Sequence, residues 1–159
     1  MQVLATDRMR FRKLSDADAM TLYQMDCDPR VTEFLGHVEP SLDATREWIR
    51  KLAVQYPEGS RRGFWAADLG DEFIGWFHLR PSRDTGECEL GYRLKTEAWG
   101  QGLATEGSKM LIDFANERVI ARTLAENHRS RRVMEKVGMT LVREIDVFWV
   151  ADGVEYATT

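Results

Sequence analysis

The sequence has little of the material from which disulfide frameworks, zinc sites and membrane spans are built. Its 159 residues include only two cysteines, Cys27 and Cys88, which lie far apart and form no CxxC motif. This scarcity predicts a reducing compartment and no zinc site. No apolar run approaches the ~20 residues that cross a bilayer, and residues 1–10 contain no apolar signal-peptide core. We therefore expect a cytoplasmic protein with no membrane partner.

An excess of positive charge is also missing. The chain carries 22 Lys and Arg against 26 Asp and Glu, a formal net charge of −4. Such a balance does not provide the general basic surface that nucleic-acid binders use, so no nucleic-acid partner is expected. The three histidines, His37, His78 and His128, have no metal-ligand spacing with one another, and no metal is expected either.

The sequence does have enough apolar material for a core. Hydrophobic residues make up 43% of the chain, and its length suits one domain spanning residues 1–159. Alternating and helical patterns predict an α+β (mixed α/β) fold with a six- to seven-stranded mixed sheet and about four helices. The predicted strands are 9–14, 64–69, 73–79, 87–94, 120–125, 139–150 and 154–157. The predicted helices are 15–27, 41–56, 103–114 and 127–137, with a helical turn at 31–35.

Two connections in this pattern carry further predictions. The strand–helix–strand order across residues 87–125 predicts a right-handed crossover between two parallel strands. Asp152-Gly153 is a tight hairpin signal and predicts a turn between the last two strands.

A glycine-rich turn, Gly100-Gln101-Gly102, joins the strand that ends at Leu94 to the helix that begins at Leu103. A Gly-x-Gly turn opening a helix presents unpaired N–H groups at the positive end of the helix dipole, an arrangement that binds phosphate. The alternative is a tight turn that only allows close helix–sheet packing. A dinucleotide site is disfavoured because Thr105 stands where the third glycine would be. A P-loop is excluded because no Gly-Lys-Ser/Thr follows.

Two linked segments, residues 99–106 and 126–139, carry a family resemblance. Together they resemble the GNAT superfamily of acetyl-CoA-dependent N-acetyltransferases, and are most similar to the branch of ribosomal-protein N-terminal acetyltransferases. The resemblance implies a splayed mixed sheet with acetyl-CoA as co-substrate in the splay. It implies that the pyrophosphate is held by main-chain N–H groups of the turn. The cofactor-binding residues expected from it are Tyr92, Arg93, Leu94, Gln101, Gly102, Leu103, Ala104, Thr105, Asn127 and Ser130.

Acetyl transfer to an amine needs a base, and Glu89 on the strand entering the turn is the candidate. An alkyl amine has a pKa near ~10 and must lose a proton before it attacks. Glu89 stands where some family members carry a catalytic glutamate; the alternative is a solvated or ion-paired strand carboxylate. A main-chain N–H near Arg93 or Leu94 would stabilise the oxyanion.

The family's frequent tyrosine acid falls at Met134, which cannot donate a proton. Ser130 matches the serine proposed as the acid in the ribosomal branch, although it could equally be an inward-facing helix residue. Asn127 would cap the helix, orient the cofactor, or do both. Arg129, Arg131 and Arg132 could reach the nucleotide 3′-phosphate, or form a solvated charge run.

The acceptor amine is expected between the front helices and the sheet. The expected substrate-binding residues are Glu33, Phe34 and Trp76, with His37 and Trp48 as further wall residues. The expected function is N-acetylation of a primary amine, either a protein N-terminus or a small molecule, by direct attack in a ternary complex. The alternative is a noncatalytic acyl-CoA-binding module. We expect a monomer or a homodimer.

Overall fold

An open, mixed sheet of eight strands forms the centre of the molecule. A computed structural model describes residues 4–36, 38–147 and 150–159. The strands are β1 (Leu4–Ala5), β2 (Met9–Lys13), β3 (Gly63–Leu69), β4 (Glu72–Pro81), β5 (Cys88–Leu94), β6 (Val119–Leu124), β7 (Thr140–Val147) and β8 (Val150–Ala157). They lie in the order β1-β2-β3-β4-β5-β6-β8-β7. All neighbours pair antiparallel except β5 and β6, which are parallel as predicted.

Helices cover both faces of this sheet. They are α1 (Ala19–Asp26), α2 (Pro29–Thr32), α3 (Leu42–Gln55), α4 (Leu103–Ala115) and α5 (His128–Lys136). One apolar cluster joins α1 and α3 to the sheet through residues such as Leu22, Ile49 and Trp76. A second cluster joins α4 and α5 to the opposite face, with Phe77 and Leu111 among its members. We call the α1/α3 side the front face and the α4/α5 side the back face.

Short polar side chains cap three of the described helices, and the cap at Asn127 is one that the sequence predicts. The Ser41 hydroxyl accepts from the Ala44 N–H at 3.2 Å and caps α3, and the Asn127 side chain accepts from the Ser130 N–H at 3.3 Å and caps α5. Each bond satisfies an N–H that has no partner inside its helix. Asp28 caps α2 in the same way, with Pro29 at the first helical position. The predicted helical turn at 31–35 therefore starts two residues earlier, at Pro29.

Close packing of α4 on the sheet depends on one glycine. A Cβ at Gly107 would lie 2.5 Å from the Phe77 ring, so only glycine lets the helix approach β4 at this point. The helix ends at Ala115, and Asn116 adopts a left-handed conformation before β6.

The structure differs from the sequence prediction in two strands. An eighth strand, β1, consists of Leu4 and Ala5 paired with β2, and two residues are too few to give a periodic signal. The predicted hairpin turn at Asp152-Gly153 is wrong, because both residues lie inside β8 and Gly153 pairs with Leu124 and Ile145. Asp152 has a φ of 73° beside a register shift. The Asp-Gly pair thus marks a bulge within a strand.

Candidate active site

The sheet opens into a wedge between β5 and β6. The two strands pair at only two positions, Cys88 with Val119 and Glu89 with Ile120. Beyond them, β5 continues along β4 to Leu94 and β6 continues along β8 to Leu124. Residues 90–94 and 121–124 therefore form the two walls of the wedge. Each wall presents a strand edge that is not paired with the other wall, so a ligand with amide groups can bond between them.

The glycine turn lies where the β5 wall leads into α4. Gly100 and Gly102 adopt left-handed conformations, with φ of 74° and 76°. Within the described residues, no main-chain or side-chain acceptor binds the N–H groups of residues 101–105. These five predicted cofactor residues are thus brought together, and their N–H groups lie at the positive end of α4. The turn can therefore bind an anion.

Trp99 fixes the turn against the wedge. Its indole N–H donates to the Leu94 carbonyl at 3.0 Å, and the Arg129 guanidinium lies 4.1 Å from its ring centroid. Arg129 is therefore held beside the turn. Arg131 is engaged elsewhere: it donates to the Tyr156 hydroxyl and to the Ala125 carbonyl. Arg132 is exposed.

Tyr92 and Ser130 meet on the back side of the wedge. Tyr92 packs with the back-face cluster and Ser130 lies in the first turn of α5. Burial raises the pKa of Tyr92, and a hydrogen bond to Ser130 and the charge of Arg129 offset part of that rise. Asn127 caps α5 and its amide donates to the Thr123 hydroxyl at 3.0 Å, which ties the helix start to the β6 wall.

Glu89 lies at the closed end of the wedge and is 9% exposed. Its carboxylate is 3.1 Å from Arg80 of β4 and 3.8 Å from Arg122 of β6. Arg122 also binds the buried Glu155 of β8 at 2.8 Å, and Glu155 binds Arg143 of β7 at 3.3 Å. These five side chains form a charge ladder of alternating sign across five strands. Glu89 is therefore an ion-paired strand carboxylate, whatever further role it has.

The front side of the wedge is aromatic and contains unpaired donors. Trp76 and Arg93 are partners across β4 and β5, and the Arg93 guanidinium lies 5.1 Å from the Trp76 ring. Arg93 also binds Asp26 of α1 at 3.0 Å. Burial raises the pKa of Asp26, and Arg93 offsets part of the rise. Among the described residues, neither the buried Trp76 Nε1 nor the buried Arg93 Nε has a hydrogen-bond partner. The Arg93 side chain thus faces the front helices rather than α4.

His78 of β4 lies on the front face and covers Gly91 of β5. Its ring is stacked on Trp76 with centroids 5.7 Å apart, and its Nδ1 lies 3.1 Å from the Glu89 carbonyl oxygen. A Cβ at Gly91 would lie 2.2 Å from His78 Nε2, so the histidine requires glycine at that position. Burial, helped by the charge of Arg80, lowers the pKa of His78 to about 3.

Of the other residues predicted to bind the acceptor amine, Glu33 and Phe34 lie outside the front-face cluster. Glu33 is the exposed residue that ends α2 and Phe34 is half-buried. Neither belongs to the described front-face cluster, whereas Trp48 packs on it, with its ring centroid 5.9 Å from that of Trp76. His37 lies outside the described residues.

Sequence patterns missed one residue at the turn, Arg8. It lies between β1 and β2, and its guanidinium donates to the Gln101 carbonyl at 2.9 Å and to Glu106 at 2.9 Å. The two partners are 93 and 98 positions away. The basic alternation of β2 was visible in the sequence, but nothing in it indicated so distant a contact.

The described residues contain neither a membrane-spanning helix nor a cluster of metal ligands. No helix among them has the length and apolar composition needed to cross a bilayer. In the same part of the chain, no group of three or more His, Cys, Asp or Glu side chains is placed to hold a metal ion.

Known proteins share this fold and sequence pattern. The chain is 29% identical over 156 residues to the FsC-acetyl coenzyme A-N(2)-transacetylase of Aspergillus fumigatus. The aligned region covers 87% of this chain and 65% of that protein. The chain thus spans about two thirds of that relative's length. It is 30% identical to the uncharacterized N-acetyltransferase p20 of Bacillus licheniformis, covering 86% of the chain and 82% of the relative.

Solved structures agree with the fold. A GNAT-family acetyltransferase from Bacillus anthracis superposes with a TM-score of 0.83 at 20% identity, covering 98% of this chain and 97% of that one. RimL, a ribosomal L7/L12 alpha-N-protein acetyltransferase solved with coenzyme A, superposes with a TM-score of 0.80 at 15% identity, covering 98% and 97%. The family model described as an acetyltransferase (GNAT) domain matches residues 8–140. The chain therefore belongs to the GNAT family of acetyltransferases.

Proposed function

We propose that the protein transfers the acetyl group of acetyl-CoA to a primary amine by direct attack in a ternary complex. One observation carries the proposal: the wedge between two strand edges leads to a turn whose five N–H groups have no acceptor among the described residues. Acetyl-CoA has the matching chemistry, since its pantetheine arm contains amides and its pyrophosphate is an anion. The turn residues 101–105 would hold the pyrophosphate.

The acceptor amine would approach from the front side of the wedge. Trp76 Nε1 and Arg93 Nε support this side, because they have no partner among the described residues and buried polar groups of this kind normally bond to water or to a ligand. The carboxylate of Asp26 lies on the same side, paired with Arg93. Glu33 and Phe34 would lie at the outer rim of that approach. The Aspergillus relative and RimL are named for different nitrogen acceptors. A protein N-terminus and a small-molecule amine both remain within the proposal.

Glu89 is the proposed proton acceptor, directly or through a water molecule that it orients. It lies on β5 beside the closed end of the wedge, where the strand walls converge. Both of its oxygens have an arginine neighbour, so a relay through water fits its geometry better than direct contact. A main-chain N–H near Arg93 or Leu94 would stabilise the negative charge on the thioester oxygen.

Ser130 is the proposed donor to the leaving thiolate, with Tyr92 as its hydroxyl partner. Met134 is buried on the back face and has no proton to give. The Ser130 hydroxyl is near Tyr92 on the side where the cofactor arm would run. The thiol has a pKa near ~8.5, so the acid would contribute at most about 10²- to 10⁴-fold.

The direct test combines binding with turnover. We expect calorimetry to show acetyl-CoA binding, and we expect free thiol to appear when acetyl-CoA is mixed with a panel of N-terminal peptides, polyamines and aminoglycosides. The absence of both acetyl-CoA binding and turnover would refute the proposal. Binding without turnover on any amine would instead support a noncatalytic acyl-CoA-binding module. That second candidate is favoured by Met134 and by the arginine partners of Glu89.

A further inference from the structure

Arg8 approaches the glycine turn from the opposite end of the chain. Its Nη1 donates to the Gln101 carbonyl at 2.9 Å and its Nε to Glu106 at 2.9 Å. These two bonds fix the plane of the guanidinium. Its Nη2 lies 3.6 Å from the point where a Cβ on Gly102 would be, beside the first N–H groups of α4. No bond of Nη2 to a described residue is present, so that donor is free at the anion-binding turn.

Glu106 gives this arrangement a second purpose. It lies in the first turn of α4, where its negative charge would repel a bound pyrophosphate. Burial raises the pKa of Glu106, but hydrogen bonds from Thr6 and Arg8 outweigh burial and the net shift is downward. The carboxylate is therefore ionised, and three donors hold it: the Thr6 hydroxyl, the Arg8 N–H and the Arg8 side chain.

We propose that Arg8 is a pyrophosphate-binding residue, held in place by Gln101 and Glu106. The inference rests on the proposed function, since it needs acetyl-CoA at the turn. Arg8 would donate its free Nη2–H to a phosphate oxygen and would also neutralise the charge of Glu106. The β1–β2 turn thereby becomes part of the cofactor site, although it precedes the glycine turn by more than 90 residues in the sequence.

The test compares two ligands in Arg8→Gln. Coenzyme A carries the pyrophosphate, whereas S-acetylpantetheine lacks it. We expect Arg8→Gln to bind coenzyme A about 10- to 100-fold more weakly by calorimetry, because a charge-assisted bond is lost and Glu106 is uncovered. Its affinity for S-acetylpantetheine is expected to stay at the wild-type value. Arg10→Gln is the matched control: Arg10 is an exposed arginine two residues further on, with no described contact to the turn.

A double variant separates the two effects. Arg8→Gln with Glu106→Gln is expected to recover part of the lost affinity, because the uncovered negative charge is gone. Unchanged coenzyme A affinity in Arg8→Gln would overturn the inference. Equal weakening for both ligands would also overturn it, since this is the result of a merely structural role. A wild-type protein that does not bind coenzyme A at all would instead refute the proposed function.

Discussion

At the scale of single residues, the site divides into groups fixed by protein partners and groups left without them. Glu89 is held between Arg80 and Arg122, whereas Trp76 Nε1 and Arg93 Nε have no partner among the described residues. A fixed carboxylate keeps its position and charge, and an unpaired donor favours an incoming acceptor oxygen. The open question is whether Glu89 accepts a proton during the reaction or only stabilises the sheet through its ion pairs.

Glu89→Gln answers that question. If Glu89 accepts the proton, directly or through water, kcat is expected to fall by about 10²- to 10⁴-fold while the affinity for acetyl-CoA stays unchanged. The measurements are steady-state kinetics of thiol release and calorimetry. Glu87→Gln is the control, because Glu87 lies two residues earlier, just before β5, and pairs with Arg118 on the surface.

A different pattern would remove Glu89 from the mechanism. Wild-type kcat together with a lower midpoint of urea unfolding would mean that the residue serves only the charge ladder. The pH dependence of kcat adds a separate readout, because the loss of a base flattens its acidic limb.

At the scale of elements, the turn and α4 act together. The N–H groups of residues 101–105 have no acceptor among the described residues. Those of 102–105 lie at the start of α4, where a helix cannot satisfy its own first turn, and the left-handed Gly100 and Gly102 orient the segment. The sheet-facing side of α4 is fixed where Gly107 packs against the Phe77 ring. The turn therefore has little freedom to move away from a ligand.

Gly102→Glu is expected to abolish acetyl-CoA binding while the fold survives. The new carboxylate would occupy the anion site and repel the pyrophosphate. Gly70→Glu is the matched control, because Gly70 has a similar φ of 64° and open space around it, but lies in the β3–β4 turn. Both variants bear the same backbone cost, so only the ligand affinity should separate them. Normal affinity in Gly102→Glu, measured by calorimetry, would rule out the turn as the cofactor site.

The sequence allowed prediction of those features that depend on neighbouring residues. The Gly100–Thr105 turn, the cap at Asn127 and the crossover around α4 were each contained in a short segment. Arg8 could not be predicted, because its partners are brought close only by the packing of β1 and β2 on α4. Asp152-Gly153 shows the limit of a local signal. The pair does adopt an unusual backbone conformation, but pairing with β6 and β7 places it inside a strand.

At the scale of the whole molecule, stability depends on pH through the buried His78. Its pKa is lowered to about 3 by burial, whereas the unfolded chain binds a proton near the ordinary value of 6.5. Between these values the unfolded state holds more protons than the folded state. The stability that the neutral, buried His78 contributes is therefore full above about pH 6.5 and is lost as the pH falls toward 3.

His78→Asn is expected to flatten this dependence. Asparagine keeps a donor near the Glu89 carbonyl but has no titrating group. From pH 6 to 4, the free energy of unfolding of the wild type should fall more steeply than that of the variant, by up to about 1.4 kcal/mol per pH unit. Urea unfolding at a series of pH values measures both slopes. His128→Asn, at an exposed position, is the control. Parallel slopes for wild type and His78→Asn would contradict the assignment.

The charge ladder acts at the same scale, because it crosses the closed end of the wedge. Arg80 and Glu89 belong to the first five strands, and Arg122, Glu155 and Arg143 to the last three. The Glu89–Arg122 contact therefore joins the two parts of the sheet beside their two paired positions. Such partly buried pairs are screened by salt less than surface pairs are.

The division of the sheet follows the order in which the chain is synthesised. Among the described residues, strands β1–β5 pair with one another and share just two positions with β6. A nascent chain can thus complete the first part of the sheet, with its front helices, before the second wall emerges from the ribosome. We expect the proposed cofactor groove to form last, when the three C-terminal strands dock. A chain truncated late in translation would therefore keep strands β1–β5 but lack the groove.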